Sequence, residues 1–161
     1  MKTTNYLLLF VFVITFLSCK TEVKKEMTEA NEEVAVVVEK TIFEKLGGEE
    51  GISGAVDQIV AKHLENEDIR QYFIPLAENP EHMEQFKQHV KDFLAAGTGG
   101  ESEYKGRDMA GAHKGLNISE AEFLAALDDI LFVLDANKVD RGSRNELLAT
   151  LYSMKAAIIK Q

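Results

Sequence analysis

Four histidines and one cysteine carry most of the chemistry this sequence can offer. His63 and His82 stand among charged residues and are expected to be exposed. His89 lies three residues after Phe86 and four before Phe93, at the edge of an apolar helical face. His113 lies four residues after Met109 and three before Leu116, again on an apolar stripe. Taken singly, each of these two reads first as a boundary histidine satisfied by its neighbours. Two of them on different helices facing one core admit a sharper reading. A planar cofactor between the helices could be gripped by imidazole from both sides, as iron is held in haem proteins.

Other chemistries lack the residues to carry them. There is no Gly-rich phosphate loop, no Gly-x-Ser-x-Gly and no His-Glu-x-x-His. Asp128 and Asp129 fall on the polar side of a helix whose apolar face is otherwise accounted for, so they read as solvated. Without a second His/Glu set at helical spacing, a di-iron bundle is not built either. A single cysteine excludes an intramolecular disulfide, a zinc site of several thiolates and a Cys-x-x-Cys redox pair. Lys+Arg 18 against Asp+Glu 27 gives a net charge of −9, which argues against nucleic acid as a partner.

The elements that must position these residues are helical. The chain has 161 residues, 45% of them hydrophobic, enough for one buried core. A short helix over 41–46 is expected to stop at Gly47-Gly48. Ile52, Val56, Ile59, Val60 and Leu64 form one apolar face of the next helix. Pro75 and Pro80 bracket a loop, after which Met83, Phe86, Val90, Phe93 and Leu94 mark a helix ending near Gly97. Glycines 99, 100 and 106 break regular structure before a short helix over 109–116. Ser119-x-x-Glu122 reads as a capping box opening a long helix with Phe123, Leu127, Ile130, Leu131 and Leu134 inside. Ser143-x-x-Glu146 opens the last helix, with Leu147, Leu148, Leu151, Met154 and Ile158 inside. No segment alternates with a two-residue period, so the fold class is all-α.

The first residues are organised differently. Lys2 precedes an almost wholly apolar stretch over 6–17, too short to span a bilayer comfortably and suited to a secretory signal. Leu17-Ser18-Cys19 resembles a bacterial lipobox, in which the cysteine becomes the lipidated first residue. The alternative is an uncleaved anchor with an incidental cysteine. The expected organisation is a lipoprotein signal peptide over 1–18, a charged tether over 19–40 and a helical domain over 41–161. Lipid on Cys19 would hold that domain on a membrane, in the bacterial cell envelope outside the cytoplasm.

From Phe43 to the C-terminus the sequence resembles the group 1 truncated haemoglobins. The segment FEKLGGEEGI over 43–52, the aromatic pair in Gln71-Tyr72-Phe73 and the run Tyr104-x-Gly106-Arg107-x-Met109-x-x-Ala112-His113 carry the likeness. The resemblance implies a truncated globin fold, two helices packed over two, with haem b and its iron between them. It implies that His113 is the proximal iron ligand and that Phe73, Tyr104, Met109 and Leu116 pack on the haem. Phe86, Val90, Phe93 and Leu94 would line the distal face, with Val60 beneath them. His89 aligns with the position where some members carry a second, distal ligand.

The sequence departs from the family where many members place a distal tyrosine, here Ile59-Val60, and a distal glutamine, here Val90, or Gln88 in a register shifted along the helix. A buried donor stabilises charge that develops on a bound ligand. Without one, dioxygen leaves faster and the iron oxidises more readily. The resemblance therefore implies a lipid-anchored haem protein that binds a diatomic gas, or that cycles between Fe(III) and Fe(II) with two histidines on iron. A redox role would bring an electron-donor protein as partner. The alternatives are a haem-free globin-fold interaction module and a nitric oxide dioxygenase. Lys87, Lys105 and Arg107 are the cations available to the haem carboxylates, or are simply solvated.

Overall fold

Thr41 opens the first helix with reciprocal hydrogen bonds. The Glu44 N–H donates to the Thr41 hydroxyl at 3.2 Å, and the Thr41 N–H donates to the Glu44 carboxylate at 2.8 Å. This capping box starts α1 (Ile42–Lys45) in the computed structural model, which describes residues 39–161. The expected signal peptide, Cys19 and nearly all of the expected tether lie outside the described residues. The other helices are α2 (Gly48–Glu65), α3 (Ile74–Ala77), α4 (Pro80–Thr98), α5 (Met109–His113), α6 (Glu120–Ala136), α7 (Arg141–Ser153) and α8 (Lys155–Ile158). A single 3-10 turn (Arg70–Tyr72) precedes α3. Among the described residues there is no strand. No helix among them is long and apolar enough to cross a membrane.

Burial follows the helical period. Ile52, Val56, Ile59 and Val60 of α2 are all buried, and Val56 is fully enclosed. Ile52, Val56 and Val60 meet Met83 and Ala95 of α4 in one cluster, which Phe43, Phe86, Val90 and Leu94 extend. A second cluster joins Ile118, Phe123 and Leu127 to Leu148 and Leu151 of α7 and to Ile158 of α8. Contacts between α2 and α6 join the two pairs, which gives the two-over-two helical arrangement. Each large side chain withdrawn from water in this way contributes about 1.5–3 kcal/mol.

Several expectations need correction. Pro75 and Pro80 do not bracket a plain loop, because each lies in the first turn of a helix, where a missing N–H costs nothing. The helix expected over 109–116 stops at His113, since Lys114 leaves helical geometry and Gly115 turns left-handed. The cap of α7 is Asp140, not Ser143. The Asp140 carboxylate accepts from the Ser143 N–H at 3.1 Å and from the Ser143 hydroxyl at 2.6 Å. A carboxylate at a helix N-terminus is favoured over a hydroxyl by its charge. The expected last helix also breaks at Met154 into α7 and α8.

The polar residues hold the larger surprise. His63 and Asp129, both expected at solvated surfaces, are each only 6% exposed. Their side chains meet at 2.9 Å between Nδ1 and Oδ2 across the α2–α6 contact, and Asn66 donates to the same oxygen at 2.9 Å. Each satisfies the polar group that the other brings into the core. Asp128 is exposed as expected.

Gly51 and Gly54, one turn apart on α2, differ in their surroundings. A Cβ on Gly51 would collide with the backbone carbonyl of Leu46, whereas one on Gly54 would meet open space. Gly51→Ala is therefore expected to destabilise the fold by about 3 kcal/mol through overpacking. Gly54→Ala should stabilise it by about 0.5–1 kcal/mol through helix propensity and a restricted unfolded chain. Urea unfolding of the two variants checks these opposite signs.

Candidate functional site

His113 is the last residue of α5, a helix of five residues. Asp108 caps its start by accepting from the Gly111 N–H at 2.7 Å. The ring nitrogen Nδ1 of His113 lies 2.7 Å from the Met109 carbonyl oxygen. A carbonyl only accepts, so Nδ1 carries the proton and Nε2 keeps its lone pair. Among the described residues Nε2 has no hydrogen-bond partner. A histidine oriented this way, through one nitrogen and free at the other, is prepared as a metal ligand. Among the described residues no group of three or more His, Cys, Asp or Glu could hold an ion on its own.

Tyr104 ties the loop before α5 to α4. Its hydroxyl donates to the Arg107 carbonyl at 2.7 Å, folding the loop before α5 back on itself. Its ring meets Phe93 edge-on at 5.4 Å and His89 edge-on at 6.4 Å. Both partners project from α4. His89 itself is exposed and has no hydrogen bond among the described residues.

A pocket of about 310 Å³ opens between the end of α4, Tyr104 and α7. Phe93, Leu94, Ala96, Gly97, Thr98, Tyr104, Leu147, Thr150, Leu151 and Met154 line it. Its three hydroxyls are already committed. Thr98 donates to the Leu94 carbonyl at 2.6 Å, Thr150 to the Glu146 carbonyl at 3.0 Å, and Tyr104 to that of Arg107 at 2.7 Å. What the pocket offers an occupant is an apolar wall.

The residues singled out in the sequence are distributed as follows. Phe93, Leu94 and Tyr104 line the pocket. Phe73 stacks on His63 at 4.8 Å and meets Phe86 edge-on at 6.0 Å. Phe86 and Val90 pack on the α2–α4 core, where Val60 is buried; Val60 lines a separate cleft with Leu64, Met83 and Lys87. Neither His89 nor His113 lines the pocket. Leu116 is 41% exposed beyond the end of α5. Lys87 is engaged by Asp57 at 3.0 Å and Glu84 at 3.5 Å, and Lys105 by Glu103 at 3.3 Å, while Arg107 is exposed. The wall supplied by Leu147, Leu151 and Met154 was expected as core. An apolar stripe at helical spacing does not reveal whether it faces another side chain or a cavity.

Residues 41–160 match the family described as bacterial-like globin. A group 1 truncated hemoglobin of Tetrahymena pyriformis is 37% identical over 107 residues, 66% of this chain and 84% of that protein. The group 1 truncated hemoglobin GlbN of Synechocystis is 30% identical over 121 residues, 73% of this chain and 90% of that protein. Among solved structures, the truncated hemoglobin of Tetrahymena pyriformis in its Fe(III) form aligns with a TM-score of 0.66 and 30% identity. That alignment covers 76% of this chain and all of the other. The 2/2 hemoglobin of Synechococcus, solved with covalently attached heme, aligns with a TM-score of 0.63 and 26% identity, covering 72% and 94%.

Gly106 gives the site a direct test. A Cβ at this position would run into the ring and hydroxyl of Tyr104. Gly106→Ala is expected to expel Tyr104 from its bond to Arg107 and to cost about 1–3 kcal/mol. Loss of the nuclear Overhauser contact between the Tyr104 and Phe93 rings would report the displacement.

Proposed function

The chain belongs to the bacterial-like globin family, and on that premise we propose that it is a haem protein of truncated-globin type that binds a diatomic gas. The observation that carries this reading is the His113 ring, fixed through Nδ1 on the Met109 carbonyl with Nε2 left as a base. Haem b would supply an iron able to take dioxygen, nitric oxide or carbon monoxide at an axial position. His113 would hold the group from the proximal side, and the Met109 carbonyl would set its tautomer and ring orientation. Tyr104, braced on Arg107 and packed on Phe93, would exclude water at the edge.

On the other side, Phe86, Val90, Phe93 and Leu94 bring no donor to a bound gas. His89 is the polar group that α4 places among them, and its freedom from other hydrogen bonds supports a role on iron. With haem bound, His89 would be the residue able to hold the iron from the distal side in place of a gas. That arrangement suits electron transfer with a donor protein, or gated access. Nitric oxide dioxygenation requires a long-lived dioxygen complex, and an apolar wall works against it. The apolar stretch ending at Leu17-Ser18-Cys19 supports lipidation of Cys19, which would hold the domain at the bacterial cell envelope, outside the cytoplasm.

The absorption spectrum of the haem-loaded full chain, ferric and then dithionite-reduced, tests the reading. A low-spin spectrum is expected, turning high-spin in His89→Ala, while His113→Ala should lose the proximal ligand and most of its haem. A high-spin wild type would remove His89 from iron and keep the gas binder. Failure to take up haem would defeat the function and leave a haem-free interaction module. Separately, Cys19→Ser should abolish metabolic labelling with a fatty acid and release the protein from the membrane fraction. Undiminished labelling would exclude Cys19 as the lipid site.

A further inference from the structure

We propose that His63 and Asp129 form a buried positioning pair that fixes Phe73 against Phe86 and thereby sets how closely the α4 wall approaches a bound gas. The inference rests on the gas-binding reading above, but its first link is independent of it.

The observations form a continuous path. Asp129 of α6 holds the His63 ring through Nδ1 at 2.9 Å, and Asn66 donates to the same carboxylate oxygen. The face of His63 stacks on Phe73 at 4.8 Å with 30° between the planes. Phe73 in turn meets Phe86 of α4 edge-on at 6.0 Å. Phe86 lies one helical turn before His89 and Val90. Helices α6, α2 and α4 and the segment at Phe73 are thus linked through one carboxylate and three rings. Nothing in the proposed gas binding otherwise requires a histidine in this core. An apolar residue would fill the space without burying a polar ring and a carboxylate, which is expensive unless both are satisfied.

His63 also titrates. Burial is the largest influence on His63 and lowers its pKa below the ordinary 6.5, with Asp129 pulling the other way. The ring is therefore neutral in the folded protein at neutral pH. Asp129 is the charged group that α6 turns toward it; the segment after α2 contributes the neutral Asn66 amide, and the Phe73 stretch an uncharged ring. The unfolded chain binds a proton at His63 more readily than the folded one. Stability present above pH 6.5 is accordingly lost as pH falls through the lowered value. While the fold persists, a protonated His63 grips harder on both sides. It gains a charge-assisted bond to Asp129 and a cation–π contact with Phe73.

The test is carbon monoxide rebinding after photolysis, followed against pH in the haem-loaded full chain. In wild type, rebinding is expected to slow as pH falls below 6.5. His63→Gln should lose that step and rebind faster at all pH values, by about three- to tenfold, the factor equivalent to one aromatic contact. Asp129→Asn, which keeps an acceptor for Nδ1 but no charge, should keep the step and move it to lower pH. The ferrous–carbonyl absorption maximum should be unchanged in both. Variants that unfold more easily yet rebind as wild type does would reduce the pair to a structural role and overturn the proposal. A step that survives in His63→Gln and disappears in His89→Ala would assign the titration to His89 and overturn the proposal equally. In the haem-free protein, the ring resonances of Phe73 and Phe86 should shift together with the His63 Cε1–H as pH is lowered. Rings that ignore that titration would overturn the positioning role. A wild type that takes up no haem would defeat the gas-binding reading instead, and the ring titration would still decide the first link.

Discussion

Everything proposed for this site depends on holding one imidazole on a helix too short to hold itself. Five residues form a single turn and a half, well below the length at which a helix is stable alone. The surroundings must therefore fix α5 at both ends. On the N-terminal side, Asp108 caps the helix and Tyr104 pins the preceding loop through Arg107. On the C-terminal side, the carbonyl of Gln161 accepts from the N–H groups of Gly115 at 2.9 Å and Asn117 at 3.2 Å. Lys160 donates to the Ile118 carbonyl at 3.0 Å in the same stitch. The far end of the chain is thus tied to the segment just after His113. The orientation of one ring is distributed over contacts from Tyr104 to Gln161.

The two hydrophobic clusters play unequal parts in this arrangement. The α6–α7–α8 cluster carries the floor on which α5 is tied, through Ile118 and Ile158. The α2–α4 cluster carries the opposite wall, through Phe86, Val90 and Leu94. Apolar packing between α2 and α6 alone could slide without leaving a polar atom unpaired, because dispersion contacts are non-directional. The His63–Asp129 contact cannot slide, since either partner left unsatisfied in the core is costly. A polar pair placed at this junction exchanges some stability for a defined register between the wall and the floor.

How far the sequence discloses all this varies with the kind of interaction. Helices with a one-sided apolar stripe are legible, because Ile52, Val56 and Val60 can satisfy a period of 3.6 only by facing one way. The Thr41–Glu44 and Ser119–Glu122 boxes announce their helices because donor and acceptor lie within one turn of sequence. The α7 cap is ambiguous because Asp140 and Ser143 are both competent caps, and only the backbone shows which one stands outside the helix. His63 and Asp129 are invisible as a pair. They are 66 residues apart, and each taken alone has the charged neighbours of a surface residue. The stretch Tyr104–His113 reveals that a site is present; the wall of Leu147, Leu151 and Met154 does not, because core and cavity share one pattern.

The pocket between the end of α4 and α7 presents an apolar wall, and neither His89 nor His113 lines it. Its hydroxyls are spent on backbone carbonyls within four residues, so each would give up an existing bond to turn toward an occupant. Discrimination between gases by hydrogen bonding is therefore unavailable from Thr98, Thr150 and Tyr104. A site of this kind separates ligands by size, by access and by competition with whatever else can occupy the same axial position. Size differs little among diatomic gases, so access and competition carry the burden. In the proposed reading those two variables would belong to α4, the first through the packing of Phe86 and the second through the reach of His89. Both residues sit on one turn of one helix, and the ring that leans on that turn, Phe73, is held from behind by His63. In that reading selectivity would depend on where α4 rests, which is why the buried His63–Asp129 pair would bear on it.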